Sequence, residues 1–347
     1  MEAGRLRRRL KGEDDIDKAV QSVQESAETP YKLSVPLSWR RVLSTGSTLL
    51  DLAISGTRIR GGGVPGGILM EVYGRSSSGK TSILSELCGS AQAKGGETNY
   101  LDPEARLDEE HSRIYGHEID KKNYHKPDTV SEMFDILGKW KPSDANINVI
   151  AADSLAALST NLEMEKGDKM GMRRAKEFSE GMRKYCRFLE NKQWLFACSN
   201  QLRHGEYGDV TPGGMAIEFY SSLRISVNKI DFIQREKDLN GKKIKRIIGI
   251  ESKCIVTKSS IDKPYREAPI YIVFDYGIDD VSANLQWFKD MTQGTVYDAI
   301  EKTYQARDAA AKYIEKNNLE NALRERVIDL WLEIEEKFTQ KRKPKMR

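Results

Sequence analysis

The chain has 347 residues, 39% hydrophobic and 31% charged, enough for one large core with smaller appendages. No run approaches the ~18 apolar residues of a membrane span, and no apolar segment follows the basic start, so a spanning helix and a secretory leader are disfavoured. The expectation is a soluble intracellular protein. Its formal net charge of +4 is too modest to mark a nucleic-acid binder by itself.

Charge distribution says more. Arg5, Arg7, Arg8, Arg9 and Lys11 lie near the start, and Lys341, Arg342, Lys343, Lys345 and Arg347 near the end. Such runs are solvated tails or arms that neutralise phosphates. Cys88, Cys186, Cys198 and Cys254 lack metal-ligand or redox spacing and read as small buried hydrophobes. The four histidines (111, 117, 125 and 204) form no ligand cluster.

In chain order, residues 1–35 read as an appendage, with a polar helix around 14–26, Pro30, and a short strand at 31–35. Residues 43–281 read as α/β. Apolar strands at 68–73, 98–101, 148–152, 194–198, 223–227 and 270–274 alternate with helices or hairpins. Asn240-Gly241, between two β-rich runs, predicts a hairpin turn. Beyond Ala283 the spacing becomes helical, with segments at 299–317 and 319–338.

Gly74-Arg75-Ser76-Ser77-Ser78-Gly79-Lys80-Thr81 fits G-x-x-x-x-G-K-[ST]. A predicted strand runs into it, and a helical pattern through Ser82 to Ala93 runs out of it, as phosphate binding requires. Glycines let backbone N–H groups turn toward the β-phosphate, and the helix N-terminus adds its positive end. Lys80 would reach the β- and γ-phosphates, and the Thr81 hydroxyl would hold Mg²⁺. The motif predicts a nucleoside triphosphate site.

Phosphoryl transfer also needs a carboxylate near the metal and a group that orients water. The run 148–152 is apolar and ends at Asp153, as expected of a buried parallel strand presenting an acid beside the phosphate loop. Glu104 follows the strand at 98–101. From position alone it is a general base, a surface acid, or a charge favoured at a helix start.

Several blocks together resemble the bacterial RecA family of recombinases. They are Leu43-Ser44-Thr45-Gly46-Ser47 with Leu50-Asp51, the phosphate loop, and residues 100–108, 149–158, 167–171, 182–184, 200–203 and 213–220. Their order and spacing agree over about residues 43–280. The resemblance implies a RecA-type P-loop ATPase core at 43–281, with a mostly parallel twisted sheet flanked by helices. Around it lie an N-terminal polymerisation segment (1–42), a small C-terminal helical domain (282–338) and a basic tail (339–347).

It implies ATP and Mg²⁺ as cofactors. Glu104 would be the carboxylate that polarises water, and Gln201 the γ-phosphate sensor linked to the DNA loops. Asp108 matches a position near the adenine, and His111 stands where the family usually has tyrosine. A first DNA loop around 163–171 would offer Lys169 and the wedge Met170, followed by Arg173, Arg174 and Arg183. A second, from Arg203 to Gly213-Gly214 and Met215, would offer His204, Tyr207, Val210 and Thr211, with Tyr207 or Val210 as its wedge. Phe219 and Lys258 match residues at the boundary with the next subunit. Ser260 replaces a second trans-acting lysine, with Lys263 as a nearby substitute, and the second loop is several residues short.

The implied activity is DNA-dependent ATP hydrolysis in a helical homo-oligomer on single-stranded DNA that pairs it with duplex. Single-strand-binding and loader proteins would be accessory partners, in a cytoplasmic, nucleoid or, for a phage-encoded version, host-cytoplasmic setting. The basic tail, where housekeeping members often end in acid, resembles phage or mobile-element versions. A clamp that anneals single strands without exchange and a ring-forming helicase on the same core are the alternatives. Residues 1–42 are too short for the extra domain such a helicase carries.

Overall fold

The structure, a computed structural model, describes residues 41–160, 171–205, 208–210 and 215–340. The expected appendage at 1–35 and the tail at 341–347 therefore lie outside the described residues. The strands up to the hairpin are β1 Val42–Leu43, β2 Val64–Pro65, β3 Ile68–Gly74, β4 Thr98–Leu101, β5 Tyr124–His125, β6 Val149–Ala152, β7 Leu195–Gln201, β8 Arg203–Gly205 and β9 Gly208–Val210. The hairpin strands β10 Leu223–Leu239 and β11 Lys242–Ser259 follow, then β12 Glu267–Val273 and β13 Gly277–Ile278.

One sheet takes nine of them in the order β13-β12-β11-β10-β3-β7-β6-β4-β5. From β10 to β5 the neighbours are parallel, and from β10 to β13 they are antiparallel. The α/β core expected of a RecA-type P-loop protein is thus the architecture found.

The central strands are buried and largely apolar because both sheet faces are covered. Side chains alternate between two cores. Met70, Val72, Ala151, Leu195 and Ala197 enter one cluster, while Leu69, Ile150, Phe196 and Cys198 enter the other. The helix Lys80–Ala93 adds Ile83, Leu84 and Leu87 to the first. The helix Gly171–Lys192 adds Phe178, Met182, Tyr185 and Leu189 to the second, at the three- and four-residue spacing of one helical stripe.

Two stretches depart from the sequence expectation. β10 does not stop at residue 227 but continues to Leu239, paired with β11 around Asn240 (φ 54) and Gly241 (φ 80). Both residues in the left-handed region is the turn Asn-Gly favours, since it matches the twist of the flanking strands. The expected helix at 299–317 is divided. β14 Tyr297–Asp298 pairs with β15 Thr303–Tyr304, and only Arg307–Lys316 is helical. The Asp298 carboxylate accepts the Ile300 N–H at 2.9 Å, so a local aspartate-headed turn overrides the apolar spacing. Ala310 and Ile314, with Leu323, Val327 and Ile328 of the helix Glu320–Lys337, join the same cluster as the first sheet face.

Candidate functional site

Parallel pairing sets the carboxyl ends of β3, β4, β6 and β7 along one sheet edge. Gly74 is opposite Gln201, Ala152 opposite Cys198, and Leu101 opposite Ala152. The turns that leave these ends carry the candidate residues, where ligands gather in open α/β sheets.

Between Gly74 and the helix at Lys80 the loop turns on Ser77 (φ 56) and Gly79 (φ 99). A Cβ on Gly79 would lie 2.3 Å from Ile272 Cδ1, and one on Gly74 2.1 Å from the Val227 carbonyl oxygen. Glycine is required at both by close approach, not only by conformation. Arg75, Ser76 and Ser77 are exposed at the loop's outer surface. The Ser78 carbonyl accepts the Ser252 hydroxyl at 2.9 Å, and the buried Ser78 hydroxyl has no partner among the described residues. Ser82 does not face the loop opening; its buried hydroxyl meets the Tyr115 hydroxyl at 2.8 Å.

Lys80 is buried and donates to the Arg75 carbonyl at 2.8 Å. Burial lowers its amine pKa from the usual lysine value, and the charges of Asp153 and Glu104 oppose that shift. Thr81 donates its hydroxyl to Asp153 Oδ2 at 2.6 Å. Asp153 also accepts from Ser199 and, at 3.4 Å, from the Tyr100 hydroxyl.

Glu104 stands beside this pair. Its Oε1 accepts the Ser154 hydroxyl at 2.8 Å and the Gln201 amide at 3.3 Å, and its Oε2 meets the Arg106 guanidinium at 2.8 Å. The two family-implied residues, Glu104 and Gln201, are thus in contact. Ser154, Ser199 and Arg106, which sequence reasoning passed over, complete the arrangement. No local signal marks them, because each matters only through a carboxylate on another element.

These residues fit a triphosphate with a divalent cation. The buried, unpartnered Ser78 hydroxyl and the glycine-shaped turn suit phosphate oxygens, and a hydroxyl–carboxylate pair is the hard oxygen set Mg²⁺ takes. Asp108 and His111 stand apart. Asp108 caps the helix Glu109–Ile114 by accepting the Glu110 N–H at 2.8 Å, and exposed His111 lies edge-on to Tyr115 with ring centroids 5.1 Å apart.

Behind the sheet edge lies a buried charge network. Glu71, fully buried in β3, accepts Arg224 Nε at 2.6 Å and Asn200 Nδ2 at 3.0 Å. Arg224 also meets Glu218 at 2.8 Å and packs over the Tyr73 ring. Asn200 precedes Gln201, and its side-chain oxygen accepts the Gln201 N–H at 3.1 Å. Glu218 sits on the helix Met215–Tyr220, directly after residues 206–214. Lys258 donates to the Glu218 and Phe219 carbonyls at 2.7 and 3.0 Å, tying down the helix end. Phe219 itself is 74% exposed, so it is not core packing within the subunit.

Of the expected DNA-loop residues, Lys169, Met170, Tyr207, Gly213 and Gly214 lie outside the described residues. Arg203 begins β8, which pairs antiparallel with β9, and Met215 begins the helix after the second loop. Arg174 donates to the Leu158 carbonyl at 3.2 Å, and Arg183 reaches the Tyr220 hydroxyl at 3.5 Å. Arg173 is half-buried near the start of its helix, and Lys263 is exposed.

The model of the RecA N-terminal domain matches residues 36–279. Protein RecA of Clostridium acetobutylicum is 33% identical over 243 residues, covering 68% of this chain and 66% of that one. Protein RecA of Synechocystis sp. is 32% identical over 287 residues, covering 79% and 77%. Protein RecA of Clostridioides difficile is 31% identical over 309 residues, covering 85% and 82%.

Proposed function

The chain belongs to the RecA family of recombinases, and on that premise we propose that it hydrolyses ATP in a DNA-dependent manner while polymerised on single-stranded DNA, and that it carries out homologous pairing and strand exchange. The observation that carries this reading is Glu104 held jointly by Ser154 and Gln201 beside the Thr81–Asp153 pair.

In this reading the loop from Gly74 to Gly79 and the Lys80 amine bind the phosphates, while Thr81 and Asp153 would hold Mg²⁺. The bound cation supplies charge neutralisation on the phosphate oxygens. Glu104 orients and polarises the attacking water, and its bonds to Ser154 and Gln201 keep one carboxylate oxygen fixed while that happens. Gln201 ends β7, one residue before the chain enters β8 and the second loop, so a change in its partner is transmitted directly to that loop. Asn200, Glu71, Arg224 and Glu218 form a second route, from the same strand end to the helix after the loop. In the same reading exposed Phe219 and Lys263 would face a neighbouring subunit, with Lys258 holding the helix that presents Phe219.

Electron microscopy of the full chain with ATP, Mg²⁺ and single-stranded DNA tests the assembly. Helical filaments are expected. Closed rings, or particles that never assemble, would overturn the recombinase reading in favour of a helicase or a monomeric ATPase.

A further inference from the structure

The hairpin of β10 and β11 is far longer than the sheet needs. β10 pairs with β3 only over Leu223–Ser226, then runs to Leu239 with β11 as its sole partner among the described residues. β11 pairs in turn with β12 as far as Gly249, so the hairpin stands alone as a two-stranded ribbon from Gln234 to Leu239, about 17 Å long. Because β10 is parallel to β3, the ribbon leaves the sheet at the carboxyl edge, where β6 and β7 also release the chain toward both proposed DNA loops.

Register sorts the outer ribbon into two unlike faces. Directly opposed residues share a face, and the face alternates at each step along a strand. The pairs Arg235 with Arg246, Lys237 with Ile244, and Leu239 with Lys242 fall on one side. That face has four cations, two aliphatic side chains and no acid. The pairs Gln234 with Ile247, Glu236 with Lys245, and Asp238 with Lys243 fall on the other. There Glu236 binds Lys243 at 3.1 Å and Lys245 at 3.7 Å, and Asp238 accepts the Gly241 N–H at 2.9 Å.

The opposite face is therefore charge-compensated from within. On the first face Arg235, Lys237, Lys242 and Arg246 are all exposed and form no ion pair among the described residues. Like charges set directly opposite, as Arg235 and Arg246 are, destabilise a ribbon. A polyanion removes that repulsion.

We propose that this cationic face binds the phosphate backbone of duplex DNA, as a contact separate from the two loops. Four cations lie within a patch about 13 Å by 5 Å, against a duplex carrying one charge per about 1.7 Å of axis. A two-stranded ribbon also has the width of the major groove. Duplex is favoured over single strand because sites for single strands stack bases on aromatic rings, and this face offers only Leu239 and Ile244. Leu239, 61% exposed beside the turn, leads the ribbon's tip.

The inference rests on the DNA-directed reading above for the identity of the polyanion. Its test is the salt dependence of the full chain's affinity for a short blunt-ended duplex. Replacing Arg235, Lys237, Lys242 and Arg246 together with glutamine is expected to lower the slope of log affinity against log salt by about 3 to 4, since each neutralised phosphate contributes about 0.9. The charge-keeping variant Arg235→Lys with Arg246→Lys is expected to retain the slope. The opposite-face variant Lys243→Gln with Lys245→Gln is expected to change it by less than about 1.

Stimulation of ATP hydrolysis by single-stranded DNA should survive in the fourfold variant. An unchanged duplex slope would overturn the proposal, as would an equal fall in the slope for single strands. If the unsubstituted chain hydrolyses ATP without regard to single strands, the recombinase reading fails while the duplex slope still judges the ribbon.

Discussion

Two charged regions leave the same edge of the sheet and are built in opposite ways. Around the phosphate loop, Asp153, Glu104 and Glu71 each take donors from other elements, and little charge is left unanswered. On the outer ribbon, four cations share a face with no carboxylate. Charges fixed by several partners hold a geometry, and their worth lies in position. Charges left unpaired on a rigid arm hold no geometry within the chain and become useful only against an outside polyanion.

Substitutions that exchange these behaviours test the contrast, beginning with the largest effect. Lys80→Ala removes a buried amine aimed into the loop and is expected to lower kcat/KM for ATP hydrolysis on the order of 10⁴-fold, with weakened nucleotide binding. Steady-state hydrolysis and nucleotide titration check it. Arg224→Ala leaves Glu71 buried with its charge uncompensated, so stability should fall by about 3 to 5 kcal/mol in denaturant unfolding. Lys237→Ala on the exposed ribbon should move stability by no more than about 0.5 kcal/mol. Equal losses from these two changes would erase the distinction between the regions.

Glu104→Gln keeps the shape of the site but not its charge. Turnover is expected to fall on the order of 10²- to 10³-fold with nucleotide affinity retained, and complexes with DNA should persist. Rapid dissociation with intact turnover would remove Glu104 from the water-orienting role.

A further effect concerns pH. Burial, aided by the nearby Asp51 and Asp280 charges, pushes the Glu86 carboxyl up to about 8. The folded protein therefore keeps a proton that the unfolded chain releases near 4.5. The stability this gives is full below about pH 4.5 and is lost as pH rises through about 8. Glu86→Gln should flatten that decline and raise stability at pH 8 on the order of 1 kcal/mol, measured by unfolding across pH.

What the sequence disclosed follows from how local each feature is. The phosphate loop was legible because its glycines, lysine and threonine act within one turn between a strand and a helix. Asp153 was legible as the end of an apolar strand. Glu104 remained one of three possibilities until the family resemblance was considered, because Ser154 and Gln201 reach it from two other strand ends. The Glu71–Arg224 pair was invisible, since parallel register between β3 and β10 puts the two side by side and no local pattern encodes it.

The hairpin turn at Asn240-Gly241 was readable, but the ribbon's length and its segregated faces emerged only from pairing. The division of 299–317 shows the reverse failure: apolar spacing suggested a helix where one aspartate-headed turn decided otherwise.

The central claim is that chemistry at Lys80, Asp153 and Glu104 is linked to polynucleotide held beyond Gln201. Its most direct test is ATP hydrolysis by the full chain as single-stranded DNA is titrated in at fixed Mg²⁺. The rate is expected to rise with added strand and saturate, with Gln201→Ala losing the rise while still binding nucleotide. A rate indifferent to DNA in the unsubstituted protein would contradict the claim.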